Sequence, residues 1–187
     1  MKTDLRVMKT KEALQEALLT LLKNKPLELI SISELCRKAK VNRGTFYFHY
    51  GQIEDLYEDY FREIMRDLAN CYQEPYRHVV KLKTSELDPK TIKVFHHIEK
   101  YKPFYRIVFS KNMPLTYYYL LFEEIKNLFT KDREVNYQVD NTINSEYFSS
   151  YQANAILGMI IQWSMNDFKQ PASFLNEQLV KIINLEV

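Results

Sequence analysis

The sequence predicts an all-α protein built from a small three-helix N-terminal unit and a larger helical C-terminal unit. Apolar residues recur at helical spacing along nearly the whole chain, and the alternation typical of strands is almost absent. Six prolines and three glycines are few for 187 residues, which argues against disorder and against an all-β fold with many turns. The hydrophobic content of 46% is enough to form a packed core.

The first helix is predicted by one apolar stripe between two boundary residues. Thr10 is suited to cap its N-terminus, and Pro26 marks a point where the helix has ended. Between them, leucines recur at the i, i+4, i+7 and i+8 spacing of one helix face: Leu14, Leu18, Leu21 and Leu22.

Two short helices follow the first one. Ser31 and Glu34 have the S-x-x-E spacing of a capping box and open the second helix. A tight turn at Lys40 separates it from a third helix, which Asn42 caps and which runs over residues 43–50. Two short helices joined by a tight turn, behind a longer helix, form a helix-turn-helix.

The rest of the chain divides into a connecting helix and a C-terminal helical region. We predict a helix-turn-helix domain over residues 1–52, a connecting helix over 53–72 and a C-terminal domain over 73–187. The polar sequence over 73–88 is the expected hinge between them. The C-terminal helices are predicted over 91–101, 104–109, 114–129, 145–169 and from Pro171 onward, with a polar loop over 131–144.

The net charge of +2 conceals an asymmetry along the chain. Residues 1–53 hold ten Lys and Arg against five Asp and Glu, so their net charge is +5 and the remaining residues sum to −3. A basic N-terminal part is typical of proteins that bind a polyanion. A solvated charged face would give the same count, so charge alone does not identify the partner.

Membrane and metal-binding classes are not indicated. The longest strictly apolar run, residues 155–161, is too short to cross a bilayer, and the N-terminus has no signal-peptide core. We therefore expect a soluble cytoplasmic protein with no membrane partner. Cys36 and Cys71 lack metal-ligand spacing, and His96 and His97 point about 100° apart on a helix, so we expect no metal and no other cofactor.

The segment over residues 41–50, VNRGTFYFHY, carries chemistry suited to DNA. Arg43, at the tip of the third helix, can make a bidentate contact with a guanine edge. Gly44 lets the backbone come close where any side chain would block it. Asn42 caps the helix and leaves N–H groups facing outward for a phosphate. Side chains with donors suited to backbone phosphates are Thr45, Tyr47 and His49.

Core packing is the competing explanation for the aromatic residues of this segment. Phe46 and Tyr50 are four residues apart and can both pack inward on the first and fourth helices. However, the five aromatic or imidazole side chains over residues 46–50 cannot all face inward on one short helix. We therefore interpret the outward-facing ones as part of a DNA-contacting surface.

The stretch ISISELCRKAKVNRGTFYFHYGQIEDLY resembles the DNA-binding domain of TetR/AcrR-type transcriptional regulators. The family's T-F-Y-x-H-aromatic run is matched over residues 45–50, and its aliphatic alternation is matched between Ile30 and Val41. The resemblance covers roughly residues 10–68, and YQANAILGMIIQWSMNDFKQPASFLNEQL is also similar to the C-terminal regions of some members. The resemblance implies a homodimer that binds a double-stranded DNA operator.

Two positions depart from the family's pattern. Lys40 stands where the family usually has glycine in the turn, and a left-handed conformation there would cost about 1 kcal/mol. Ile53 stands where the family commonly has a phosphate-contacting lysine. The residues that we predict to contact DNA are Ser31, Ser33, Lys40, Asn42, Arg43, Gly44, Thr45, Tyr47, Phe48 and His49.

The predicted helix over residues 145–169 is apolar around much of its circumference, so it should be buried on more than one side. Its own domain can cover one side and a second copy the other, and the resemblance implies dimerisation through a bundle of the last two long helices. Gly158 would permit a close helix crossing. The residues that we predict at the dimer interface are Ala153, Ile156, Ile160, Leu175, Leu179 and Ile182.

Aromatic residues are concentrated in the C-terminal helices, and two interpretations remain open. They can form an aromatic-rich core, or they can line a pocket for a small apolar or aromatic effector, as the resemblance suggests. The candidates for such a pocket are Phe95, Tyr101, Tyr105, Tyr118, Phe122, Tyr151 and Trp163.

Residues 73–187 contain no paired catalytic signature and no Gly-rich phosphate loop, so we do not expect an enzyme. The sequence predicts a transcriptional repressor that a small apolar or aromatic effector releases from a near-palindromic operator. The alternative is a helix-turn-helix regulator whose C-terminal domain docks a partner protein. A closed pocket favours the effector, and a contiguous exposed aromatic patch favours the partner protein.

Overall fold

The computed structural model describes residues 5–76, 86–136 and 142–185, and within these ranges it contains nine α-helices and no strand. The predicted all-α fold class is therefore confirmed. The helices are α1 (Leu5–Leu22), α2 (Ile32–Ala39), α3 (Arg43–His49), α4 (Ile53–Tyr72), α5 (Val94–Lys100), α6 (Lys102–Val108), α7 (Leu115–Asn136), α8 (Ser145–Met165) and α9 (Ala172–Ile183).

Side-chain caps fix the boundaries of the two short helices, as the sequence predicts. The Ser31 hydroxyl accepts a hydrogen bond from the backbone N–H of Glu34 at the start of α2. The Asn42 side chain accepts one from the Gly44 N–H at the start of α3. Between them, Lys40 adopts φ 56° and ψ 37°, which is the left-handed conformation that the turn requires.

A buried cluster joins α1, α2, α3 and α4 into the helix-turn-helix domain. Phe46 is fully buried and Tyr50 is 6% exposed, so both pack inward as the sequence predicts. Cys36 is also buried there, as a free thiol. Burial of a side chain as large as Phe46 contributes about 1.5–3 kcal/mol, so this cluster holds the short third helix in place.

The long helix α4 connects the helix-turn-helix domain to the C-terminal helices. It contacts α1 at one end and α5 and α7 further along. Its apolar side is buried along its whole length, because the apolar residues recur at helical spacing. The buried residues are Ile53, Leu56, Tyr57, Phe61, Ile64, Met65 and Leu68.

The C-terminal helices pack around an aromatic centre. The fully buried Phe104 of α6 contacts the rings of Tyr57, Tyr60 and Phe61 on α4. α7 packs along α8, α5 packs against α9, and α6 contacts both α1 and α8. The buried residues of the helix-turn-helix domain and of the C-terminal helices form one continuous core. α4 therefore packs against both parts of the protein.

The connection before α7 is hydrogen-bonded to the end of α1. The Asn112 side chain donates to the carbonyl oxygen of Leu22 at 2.8 Å. The Asn112 carbonyl accepts from the Leu27 N–H at 3.1 Å. This pair of bonds satisfies backbone groups just beyond the C-terminus of α1 and fixes the domain against the C-terminal helices.

Several helix boundaries differ from the sequence prediction. α5 begins at Val94 rather than at residue 91, and α6 begins at Lys102 rather than at residue 104. Thr10 does not cap α1, which begins at Leu5; its hydroxyl instead donates to the Arg6 carbonyl one turn earlier. α7 continues to Asn136, because Lys131, Arg133 and Glu134 are good helix formers despite their polarity. α8 ends at Met165, because Asp167 and Phe168 both adopt positive φ.

Part of the predicted hinge, residues 77–85, lies outside the described residues. None of the described helices is both long and apolar enough to span a bilayer.

Candidate functional site: the helix-turn-helix surface and the C-terminal cavity

The exposed side of α3 carries the residues that the sequence predicts to contact DNA. Phe48 is 81% exposed and Tyr47 is 52% exposed, although both are large aromatic side chains. Arg43 and Gly44 are exposed at the N-terminal tip of the helix. All ten residues predicted to contact DNA are exposed or half-buried: Ser31, Ser33, Lys40, Asn42, Arg43, Gly44, Thr45, Tyr47, Phe48 and His49.

Four cations surround this surface. Arg37, Lys38, Lys40 and Arg43 are all exposed, and no carboxylate of the described residues forms an ion pair with any of them. The Arg43 guanidinium lies 6.0 Å from the centre of the Tyr47 ring, within the range of a cation–π contact. The surface is therefore positively charged and available to an anionic ligand.

A three-residue network holds the C-terminal end of α3 against α1 and α4. The Tyr50 hydroxyl and the Lys11 ammonium both donate to Oδ2 of Asp59, each at 2.8 Å. Partial burial acts to raise the pKa of Asp59, but the hydrogen bonds from Lys11 and Tyr50 outweigh it and hold that pKa below its ordinary value. Asp59 thus stays ionised at neutral pH and fixes the angle at which α3 faces outward.

A cavity of about 540 Å³ lies between α4, α5, α7, α8 and α9. Its wall is mainly aliphatic, and the polar residues on it include Lys93, Gln152 and Cys71. The volume falls in the range typical of pockets for small molecules. The aliphatic residues on the wall include Leu68, Ile92, Val94, Ile125, Leu128, Ile156, Leu179 and Ile182.

Of the seven aromatic residues that the sequence suggests for an effector pocket, the structure places only Tyr151 on the cavity wall. Phe95, Tyr105 and Trp163 are buried in the core, and Tyr101, Tyr118 and Phe122 pack against it. The rings of Phe95 and Trp163 contact each other edge to face, and the Tyr118 ring contacts that of Phe109 in the same way, so these rings take part in core packing. Aromatic residues that do line the cavity are Tyr72, Phe129, Phe148 and Tyr151.

The residues predicted at a dimer interface differ in their burial within the single chain. Ala153, Ile160 and Leu175 are buried within their own chain, and Ile156 and Leu179 are half-buried on the cavity wall. Only Ile182, 56% exposed, presents most of its side chain outward.

An exposed stripe runs along the solvent-facing side of α8, and two of its residues, Tyr151 and Ala155, also line the cavity. Its residues recur at spacings of three and four, so they share one helix face. Tyr147, Tyr151 and Met165 are between 72% and 80% exposed, which is unusual for such large apolar groups. With exposed residues of α9 they form what we name the α8–α9 face: Tyr147, Tyr151, Ala155, Gly158, Gln162 and Met165 with Phe174 and Ile182.

A TetR C-terminal family model, described as the C-terminal region of a transcriptional regulator, matches residues 85–185, more than half of the chain. The chain belongs to the TetR family of transcriptional regulators. The predicted family is confirmed, and so is the prediction of a regulator rather than an enzyme.

Similar proteins agree with this assignment. The HTH-type transcriptional regulator YxbF of Bacillus subtilis strain 168, named as uncharacterized, is 19% identical over 172 residues, which are 91% of this chain and 43% of YxbF. The chain therefore spans about two fifths of the length of this curated relative.

Two solved structures share the fold at low identity. The fatty acid degradation regulator FadR from Bacillus halodurans has a TM-score of 0.68 at 14% identity, covering 97% of this chain and 96% of its own. A transcriptional regulator from Aquifex aeolicus VF5 has a TM-score of 0.61 at 20% identity, covering 93% of this chain and 97% of its own.

Proposed function

We propose that this TetR-family protein binds a near-palindromic double-stranded DNA operator as a homodimer, in the cytoplasm, and represses transcription until an apolar effector releases it. The observation that carries the DNA-binding part is the exposed face of α3. Large aromatic side chains such as Phe48 and Tyr47 are exposed there beside cations that form no ion pair among the described residues, while the buried Phe46 and Tyr50 hold the helix on the core. A core helix would bury these rings, and a solvated surface helix would lack them.

Within this proposal, Arg43 contacts a base edge and the surrounding residues contact the backbone. Arg43 lies at the first turn of α3, where a helix entering the major groove presents its side chains to base edges. Lys40 lies in the turn before it, so its ammonium can reach a phosphate. Its left-handed conformation costs about 1 kcal/mol, which the buried cluster under α3 can offset.

We expect Arg43→Ala to lose about 1–3 kcal/mol of binding free energy on the preferred operator and to relax selection at one base pair. The operator can be obtained by sequencing DNA fragments selected by the purified protein, and affinity measured by fluorescence anisotropy across a salt series. Log affinity of the wild type should fall steeply with log salt, because several phosphates are neutralised by each α3 surface.

Tyr47→Phe is the matched control for Arg43→Ala. It removes one hydroxyl from the same exposed face and should weaken binding evenly across DNA sequences, since a phosphate contact carries no base preference. Unchanged affinity and unchanged selectivity in Arg43→Ala would contradict the placement of Arg43 on a base edge.

The dimer part of the proposal is supported by the α8–α9 face. Its exposed apolar residues would be covered by a second copy of the chain, and a Cβ added at Gly158 would meet nothing within 4 Å. A second helix can therefore approach α8 closely at that point. Two copies related by a two-fold axis would place two α3 helices roughly 34–36 Å apart, or a multiple of that, on successive major grooves.

The effector part of the proposal is supported by the cavity. A cavity of about 540 Å³ with a mainly aliphatic wall suits a small apolar molecule, and Lys93 or Gln152 can orient one polar group on it. Tyr151 and Ile182 belong both to the wall and to the α8–α9 face. An effector would therefore contact residues whose positions set the dimer geometry, and so the spacing of the α3 helices.

We expect a genuine effector to raise thermal stability, by about 2.7 kcal/mol at 100 times its dissociation constant, and to lower operator affinity. A screen of apolar and aromatic compounds should measure both quantities. Ile156→Phe, which fills part of the cavity, should abolish the response and leave operator binding intact. Leu120→Phe on the exposed side of α7 is the control and should respond like the wild type. Compounds that stabilise the fold without changing operator affinity would count against the effector.

A further inference from the structure

Three donor groups of metal-binding type meet between α4 and α5. Asp67 and Cys71 are one helical turn apart on α4, so both side chains face the same way. His97 approaches them from α5, with its Nδ1 atom 2.6 Å from Oδ2 of Asp67. The Cys71 Sγ atom is 4.0 Å from the same carboxylate oxygen, and one donor atom from each of the three residues lies within 4.8 Å of the others.

The donor set has the composition of a zinc site. Thiolate, imidazole and carboxylate are the three ligand types that Zn²⁺ takes in proteins, with bonds of about 2.0–2.3 Å. Neighbouring donors around a tetrahedral ion of that size are roughly 3.3–3.6 Å apart. To bind such an ion, the distance between His97 and Asp67 would have to lengthen and the distance between Cys71 and Asp67 would have to shorten, each by roughly 1 Å. Side-chain rotation of Asp67 and Cys71 can provide these changes. Two ligands at i and i+4 on one helix also occur in established zinc motifs.

Tyr105 completes the arrangement on the far side of the histidine. Its hydroxyl oxygen is 2.9 Å from Nε2 of His97, and both side chains are buried. Without a metal, the carboxylate of Asp67 can only accept, so Nδ1 of His97 carries the proton and Nε2 accepts from Tyr105. With a metal on Nδ1, the ring proton moves to Nε2 and donates to Tyr105, because a hydroxyl group serves as donor or acceptor.

We infer that Asp67, Cys71 and His97 form a binding site for a divalent transition-metal ion of the zinc type. The carboxylate is one-third exposed, which gives the ion an entry path from solvent. Cys71 also lies on the wall of the C-terminal cavity, so a fourth ligand, water or a group on a small molecule, approaches from there. On binding, the Cys71 thiol releases its proton to solvent and coordinates as thiolate.

One nearby cation competes for the same carboxylate. The Lys100 ammonium is 3.3 Å from Oδ1 of Asp67, and its side chain is 59% exposed. It can therefore swing into solvent when an ion binds. Lys100→Met removes this charge, keeps all three donors and should tighten metal binding.

Titration of the full-length wild-type chain with Co²⁺ tests the inference directly, because Co²⁺ reports on its ligands through absorbance. We expect stoichiometric binding with a thiolate-to-metal charge-transfer band, which added Zn²⁺ should abolish by displacement. Cys71→Ser should lose the band, whereas Cys36→Ser should keep it, since Cys36 is buried in the helix-turn-helix domain. Circular dichroism confirms that each variant is folded.

Tyr105→Phe distinguishes two interpretations of the three residues: a metal site, or hydrogen bonds that only stabilise the fold. It preserves the three donors but removes the group that orients His97, so it should lower metal affinity about 10- to 100-fold. If the three residues serve packing alone, this variant would change stability without any charge-transfer signal to lose. A wild type with no such band, or a band that survives Cys71→Ser, would overturn the inference.

Discussion

Gly158→Arg is expected to convert the proposed dimer into a monomer and to lower operator affinity by about 10³-fold, because a single α3 helix has too small a footprint to bind specifically. Gly158 lies at the centre of the α8–α9 face, between Tyr151 and Met165. An added Cβ meets nothing within 4 Å, so the substitution causes no clash within its own chain. Replacing glycine inside a helix also favours the helix by up to about 1 kcal/mol, so the monomer should remain folded.

Gly158→Arg should act only by blocking the contact with a second chain. Sedimentation at micromolar concentration gives the oligomeric state, and helical content by circular dichroism gives the fold. Glu124→Arg on the exposed side of α7 is the matched control, since it adds the same side chain away from the α8–α9 face and should leave a dimer. A monomeric wild type, or a dimeric Gly158→Arg, would exclude this face as the interface.

The fold could be predicted because its signals are local. The Ser31 and Asn42 caps, the turn at Lys40 and the inward pair Phe46 and Tyr50 each depend on residues within one or two turns. Helix ends were harder to predict where polarity and helix propensity disagree. The charged residues after 130 suggest a loop, yet α7 continues to Asn136, because Lys131, Arg133 and Glu134 have high helix propensity.

The candidate DNA surface could be predicted for the same reason, whereas the cavity could not. A cavity is the space left after helices have packed, and that depends on distant pairs of side chains. Aromatic density suggested a pocket around Phe95 and Trp163, but these rings pair with each other in the core. The helical stripe from Tyr151 to Met165 was visible in sequence, but the side that the chain itself covers was not. Only the tertiary structure assigns Ile160 to the core and Gly158 to the surface.

Trp163→Ala is expected to lower the free energy of unfolding by about 3–5 kcal/mol, because Trp163 holds the turn that sets the angle between α8 and α9. The indole is 2% exposed, and its N–H donates to the Gln170 carbonyl at 3.0 Å. Its ring lies 5.2 Å from the ring of Phe168, which has φ of 53°. The guanidinium of Arg106 lies 5.3 Å from the centre of the same Phe168 ring. A bulky residue adopts positive φ only when surrounding contacts compensate for the strain.

Trp163→Phe separates ring packing from the hydrogen bond. It keeps an aromatic ring beside Phe168 but leaves the Gln170 carbonyl without its donor, so it should cost about 1–3 kcal/mol. Guanidinium unfolding followed by circular dichroism measures both variants at one fixed protein concentration, because the stability of a dimer depends on concentration. If Trp163→Ala cost less than about 1 kcal/mol, the turn would be held by other contacts, and the angle between α8 and α9 would not depend on this side chain. A cost equal to that of Trp163→Phe would mean that the hydrogen bond, rather than the ring, holds the turn.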